Sequence, residues 1–285
     1  MDATARHSHR PHGPIADDYT IDQAWERYSP AEHARWDLLH ARQVRMLRQR
    51  ACPEFLQALD RLALSDGGIP HFGRLSERLA ARTGWQVVAV PDLVPDPVFF
   101  EHLANRRFPA GAFIRGADQL DYLQEPDVFH DVFGHVPMLA DPVFADFMQA
   151  YGAAGLAAAR AGRIDRLARL YWYTVEFGLV RGSRGDDLRI YGAGILSSAR
   201  ESVYALEDPA PRRIGFRADR VMRTRYRIDD LQQVYFVIDD FDQLLDSLQG
   251  DREPLYARAA AGPELSPEAV ESDDMLHILH AQAAE

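Results

Sequence analysis

The chain of 285 residues is 47% hydrophobic and carries a formal net charge of −11. That suits one large or two small soluble domains and argues against nucleic-acid or anionic-membrane binding. A single cysteine, Cys52, excludes an intrachain disulfide and reads as a buried small residue. No apolar run is long enough to span a bilayer, and the opening MDATARHSHRPHGPIADD lacks the apolar stretch of a secretory signal, so the expected compartment is the cytoplasm.

Residues 1–20 are polar, with Pro, Gly, His7, His9 and His12, and read as a disordered tail. Ser29-Pro30-Ala31-Glu32 is a capping box with proline at the first helical position. The helix it opens runs to about Arg50 with Trp36, Leu39, Val44 and Leu47 inward. Pro53 opens a second helix with Phe55, Leu56, Leu59 and Leu62 inward, before a turn at Asp66-Gly67-Gly68. A helix over 73–83 ends at Gly84. WQVVAV (85–90) is β-branched and short, which predicts a strand, followed by a helix over 95–107 and a second strand at GAFIR (111–115). Helical spacing covers 141–160 and 163–180. LRIYGAG (188–194) predicts a strand entering a bend, and Ser197 or Ser198 caps a helix ending near Leu206. VYFVID (234–239) is a strand and FDQLLDSL a helix. From Ser266 the pattern is an amphipathic helix or a loose tail. The expected architecture is α+β, one predominantly helical domain over 21–260 with a few short strands, and a tail over 261–285.

The chemistry concentrates in PDVFHDVFGHVPML, residues 126–139. His130 and His135 are five apart, which on an α-helix leaves them about 140° apart. Gly134 and Pro137 make a regular helix there unexpected, so convergence calls for irregular backbone, with His130 at a helix end and His135 on the following turn. A histidine pair in so apolar a run points to metal ligation rather than to two separately satisfied side chains. Glu176 lies in YWYTVEFGLV, where an unneutralised carboxylate faces a large desolvation cost. Two imidazoles and one carboxylate form a mixed site that suits non-haem Fe(II) with open positions for O2, and equally a catalytic zinc. Spacing alone leaves both open; a zinc hydrolase with Asp131 as general base is the alternative reading.

Five ordered blocks, FFEHLANRRFP, DYLQEPDVFHDVFGHVP, LARLYWYTVEFGL, IYGAGILSS and TRYRID…YFVID, resemble the aromatic amino acid hydroxylases, most nearly their compact bacterial phenylalanine 4-hydroxylase branch, over roughly residues 20–250. The resemblance implies a monooxygenase in which His130, His135 and Glu176 hold Fe(II), and in which Fe(II) and a tetrahydropterin (tetrahydrobiopterin or a related reduced pterin) split O2 to hydroxylate phenylalanine to tyrosine. It assigns Leu93, Val94, Phe99, Asp131 and Tyr171 to the pterin side. It assigns Arg115 to the substrate carboxylate, and Pro126, Trp172, Phe177, Ser197 and Ile228 to the rest of the substrate pocket. Asp92 stands where many members have glycine, and Leu123 replaces a threonine of the animal enzymes. The short polar leader and weakly patterned end imply a monomer without a regulatory domain. The implied partners are phenylalanine, O2, reduced pterin and, functionally, pterin-recycling enzymes.

Overall fold

The structure is a computed structural model that describes residues 14–64, 66–121, 125–183 and 187–277. Helix α1 (Pro30–Leu47) begins as the sequence dictates: the Ser29 hydroxyl accepts from Glu32 N, and the Glu32 carboxylate accepts from Ser29 N at 2.8 Å. Next come α2 (Pro53–Arg61) and α3 (Phe72–Thr83), which stops at Gly84 in the left-handed region (φ 77°), where glycine carries no steric penalty. Strand β1 (Gln86–Val90) leads into α4 (Asp96–Ala104) and β2 (Arg107–Gly111), which pairs with β1 in parallel.

This corrects the expected strand at 111–115. Arg106 (φ 53°) reverses the chain directly after α4, so pairing with β1 starts at Arg107. The following residues, Ala112–Arg115, leave the sheet and turn inward toward the segment at 127–128. Helix α5 (Pro142–Arg160) is capped by Asp141, whose carboxylate accepts from Val143 N and Phe144 N at 3.0 Å. It packs on α4 because Gly155 has no side chain: a Cβ there would lie 2.0 Å from the Phe100 ring.

The pattern over 163–180 resolves into three pieces, not one helix: α6 (Ile164–Tyr171), a π-helix at Trp172–Glu176, and strand β3 (Leu179–Arg181). Then come β4 (Leu188–Ile190), α7 (Ala193–Leu196) and α8 (Ala199–Glu207), capped by Ser198. Strand β5 (Arg212–Gly215), α9 (Ala218–Arg223), β6 (Val234–Ile238), α10 (Phe241–Leu248) and α11 (Glu253–Ala261) complete the elements. The second sheet has the order β4-β3-β6-β5, antiparallel at β3/β4 and parallel elsewhere. One continuous core of aromatic and aliphatic side chains joins the helices to both sheets, so the molecule is a predominantly helical single domain with short strands.

Both expected tails differ from their sequence reading. Residues 14–20 are tied down: Asp18 pairs with Arg107 at 2.8 Å and its carbonyl meets His102 Nε2 at 2.8 Å. The three histidines before them, Leu123, and the last eight residues lie outside the described residues. Residues 266–277 contain no helix. They run along the sheet edge, with Leu276 bridging Ile214 and Gly215 N donating to Met275 O at 2.8 Å. The fully buried Arg220 anchors them, pairing with Asp274 at 2.9 Å and Glu271 at 3.2 Å, while Arg217 holds Asp273 and Arg223 holds Glu271. Such a pair is costly to bury and more costly to break.

Candidate metal centre and active site

His130 and His135 lie in a second π-helix, Phe129–His135. Its i→i+5 closure brings residues five apart onto one face, as an α-helix would not. That is the irregular backbone the sequence called for, although it is one continuous π-turn and not a helix end plus a turn. Gly134 lets it approach α7: a Cβ there would lie 2.9 Å from Ala193 O. Pro137 follows in the 3-10 turn Val136–Ala140, where its missing N–H is harmless. The π-helix at Trp172–Glu176 delivers Glu176 from the other side.

Three ligand-type atoms converge. His135 Nε2 lies 3.2 Å from Glu176 Oε1 and 3.2 Å from His130 Nε2, and His130 Nε2 lies 3.6 Å from Glu176 Oε2. Ser197 fixes one tautomer. Its hydroxyl proton goes to Ala193 O (2.8 Å), so its oxygen accepts from His130 Nδ1 at 2.9 Å and leaves Nε2 with a free lone pair. Burial holds His130 down to about 4 and hence neutral. Burial raises the Glu176 pKa, but the two imidazoles outweigh it and hold the group below the usual carboxylate range. His135 Nδ1 is buried with no hydrogen-bond partner among the described residues. A proton on His135 Nε2 could serve only one of these crowded contacts, whereas a cation serves all three. The residues therefore fit a metal ion.

Asp131 is the other carboxylate within reach: His130, Asp131 and His135 also offer ligand atoms within 4.8 Å of one another. Its Oδ2 is already taken, accepting from Gly111 N at 2.7 Å, and burial pushes its pKa up to about 7. Glu176 is closer to both imidazole nitrogens, anionic, and better placed as third ligand. Two open pockets, of about 470 and 360 Å³, lie elsewhere, beside Trp25 and His71 and beside α10.

The model of the family described as biopterin-dependent aromatic amino acid hydroxylase matches residues 2–255. A phenylalanine-4-hydroxylase of Caulobacter vibrioides is 63% identical over 86% of this chain and 82% of its own. That of Ralstonia nicotianae is 59% identical over 91% and 83%. The solved structure of Chromobacterium violaceum phenylalanine hydroxylase with bound oxidised Fe(III) is 53% identical and covers 93% of this chain and 95% of that one, with a TM-score of 0.88. This chain belongs to the biopterin-dependent aromatic amino acid hydroxylases. None of these relatives supports the zinc-hydrolase reading.

In this hydroxylase, Arg115 is buried rather than on the surface. Asp127, fully buried, takes its Nε at 2.9 Å and Nη2 at 2.7 Å in a two-pronged pair, and accepts from Arg115 N and His130 N as well. Asp127 thus fixes both the guanidinium and the start of the first ligand turn. Sequence reasoning passed over it, although an aspartate three residues before a helical N–H is a capping signal. Phe99, on α4, stands edge-on to Tyr171 at 5.7 Å, and Tyr171 lies over His135 at 6.2 Å. Phe108, also passed over, packs against His135 at 5.0 Å. Trp172 and Phe177 face each other at 4.8 Å, and Pro126 is half-buried next to Asp127.

Three residues that the resemblance assigns to the site lie on loops. Val94 is half-buried in the loop before α4, while Leu93 is 77% exposed there and Ile228 is 67% exposed between Tyr226 and Gln232. The resemblance places Ile228 in the substrate pocket, where an apolar wall would offer a ring hydroxyl no partner. An exposed side chain strips no water from a hydroxyl, and at 67% exposure Ile228 is not a buried wall in this structure.

Proposed function

We propose that this protein is an Fe(II)- and tetrahydropterin-dependent monooxygenase that hydroxylates L-phenylalanine to L-tyrosine with O2. The observation that carries the reading is the convergence of two imidazoles and one carboxylate within 3.6 Å, in a member of this hydroxylase family. His130, His135 and Glu176 hold the iron through Nε2, Nε2 and the carboxylate. When bound, the iron and the reduced pterin supply the activation of O2. This chain's own residues bind, orient and exclude water.

Phe99 offers its face to the flat pterin ring, with Leu93 and Val94 from the loop before it and Tyr171 behind. Asp131 supplies a carboxyl group on the same side, and the charge of a bound dication draws its pKa back down. Arg115 meets the substrate carboxylate through Nη1, since Asp127 occupies Nε and Nη2. Trp172, Phe177 and Pro126 hold the ring, and Ser197 keeps His130 in the ligating tautomer. A bulky indole at Trp172 leaves less room for an indole substrate, and apolar walls offer a tyrosine hydroxyl no partner.

The protein works as a cytoplasmic monomer, supplied by pterin-recycling enzymes. Two findings support this reading: no helix among the described residues is long and apolar enough to cross a membrane, and residues 266–277 lie folded on their own sheet and form no assembly helix. The test is to incubate Fe(II)-loaded protein with reduced pterin, O2 and phenylalanine. Tyrosine should accumulate, and phenylalanine should outcompete tyrosine and tryptophan, by no more than about 10²-fold for the added hydroxyl. Ester or peptide hydrolysis by the zinc form, with no tyrosine from the iron form, would overturn it.

A further inference from the structure

Trp172 is only half-buried, yet its indole is held on three sides. Tyr226 stacks on it at 4.5 Å and 17°, Phe177 tilts against it at 4.8 Å, and its Nε1–H donates to Gln232 Oε1 at 2.9 Å. Gln232 is 4% exposed and its carboxamide has no freedom to flip. Its oxygen faces the indole N–H, while its Nε2 donates to Arg227 O at 3.1 Å and Asp230 O at 3.3 Å. The reversed amide would face donor with donor and acceptor with acceptor.

The glutamine is itself anchored. Its backbone N–H donates to Glu201 Oε1 at 3.2 Å, and the Tyr235 hydroxyl donates to the same oxygen. On the other side of the loop, Arg225 N donates to Leu265 O at 2.9 Å and Tyr173 Oη donates to Arg225 O at 2.8 Å. The loop that carries Tyr226 and Ile228 is therefore fixed at both ends. One side chain, Gln232, links its carbonyls to the indole.

We infer that Gln232 is a positioning residue that sets the choice of amino acid by holding the Trp172 indole at a fixed angle. The inference rests on the reading of Trp172 as a wall for the substrate ring. Gln232→Met is of similar length but accepts nothing from Nε1–H and ties down neither carbonyl. The freed indole then yields to a larger ring.

The test is a double-mutant cycle on the iron-loaded, full-length enzyme with wild type, Gln232→Met, Trp172→Phe and the double variant. Its readout is the ratio of kcat/KM for phenylalanine to that for tryptophan. KM for the pterin and the midpoint of thermal unfolding are measured alongside. Gln232→Met should lower the ratio about tenfold, the scale of one buried donor left unpaired. It should raise KM for phenylalanine, leave KM for the pterin unchanged, and have almost no further effect on the ratio in the Trp172→Phe background. An unchanged ratio in the single variant, or an equal fall in both backgrounds, refutes the positioning role. A Trp172→Phe variant with wild-type selectivity removes the wall reading itself, and the inference with it. Should Gln232→Met fail to fold, Gln232→Asn, which withdraws the carboxamide by one methylene, is read the same way.

Discussion

The floor of the site and its rim are built on opposite principles. On the floor, His130 and Arg115 are held by neighbours of fixed geometry: Ser197 sets the His130 tautomer, and Asp127 takes two prongs of Arg115 and the N–H of His130. At the proposed rim, Leu93 and Ile228 stand out in solvent on loops. The contrast separates two tasks. Chemistry needs donor atoms held to fractions of an ångström, which only buried, hydrogen-bonded side chains supply. Selection among rings, the task proposed for the Trp172 indole held by Gln232, leaves the exposed loop residues beside it free of that demand.

The sharpest way to break this comparison is at the floor. Alanine at His130, His135 or Glu176 should abolish hydroxylation and strip the iron while the fold survives. Metal analysis with circular dichroism checks this, and normal iron content with normal turnover in any one variant would sink the ligand set. Arg115→Ala should come next, costing on the order of 2–5 kcal/mol in substrate binding. It should appear as a raised KM for the amino acid with little change for the pterin. The same variant strands Asp127, and Asp127→Ala strands Arg115. Each loses about 3–5 kcal/mol of stability because one buried charge is left alone, a fall that denaturant titration measures. Ser197→Ala should keep the ligands but lose the tautomer lock, weakening iron binding about 10–100-fold in a chelator competition. Ile228→Ala should be the mildest, within about 0.5 kcal/mol in stability and nearly silent in the phenylalanine-to-tyrosine ratio. A large change there would place Ile228 with the floor and erase the distinction.

Much of the fold was legible where local rules act alone. The Ser29 capping box, the Gly84 stop and the β-branched run at 86–90 each carry their own instruction. The strand at 107–111 was misplaced because its start depends on Arg106 turning the chain, which no periodicity marks. The ligand residues stood out by chemistry, as charge or imidazole in apolar runs, whereas the π-turns that join them did not: a π-helix differs from an α-helix by one residue per closure and leaves no compositional trace. Asp127 and Gln232 were passed over for a different reason. Their importance lies in partners 12 and 60 residues away, and a pattern read along the chain has no access to pairs of that separation. Ile228 shows the opposite case. Its position in the motif is plain, but exposure depends on how the loop over 226–231 leaves Gln232.

The Arg220–Asp274 pair has a consequence in time. Its members are 54 residues apart in the chain. At about 5–20 residues per second of synthesis, Asp274 arrives roughly 3–11 s after Arg220. For nearly all of that interval, until Glu271 and then Asp274 are made, the nascent chain holds an arginine destined for full burial with neither of its carboxylates to receive it. The ion pair beside Phe236, over whose ring the Arg220 guanidinium lies at 5.6 Å, therefore closes only after the residues at 130, 135 and 176 have all been synthesised.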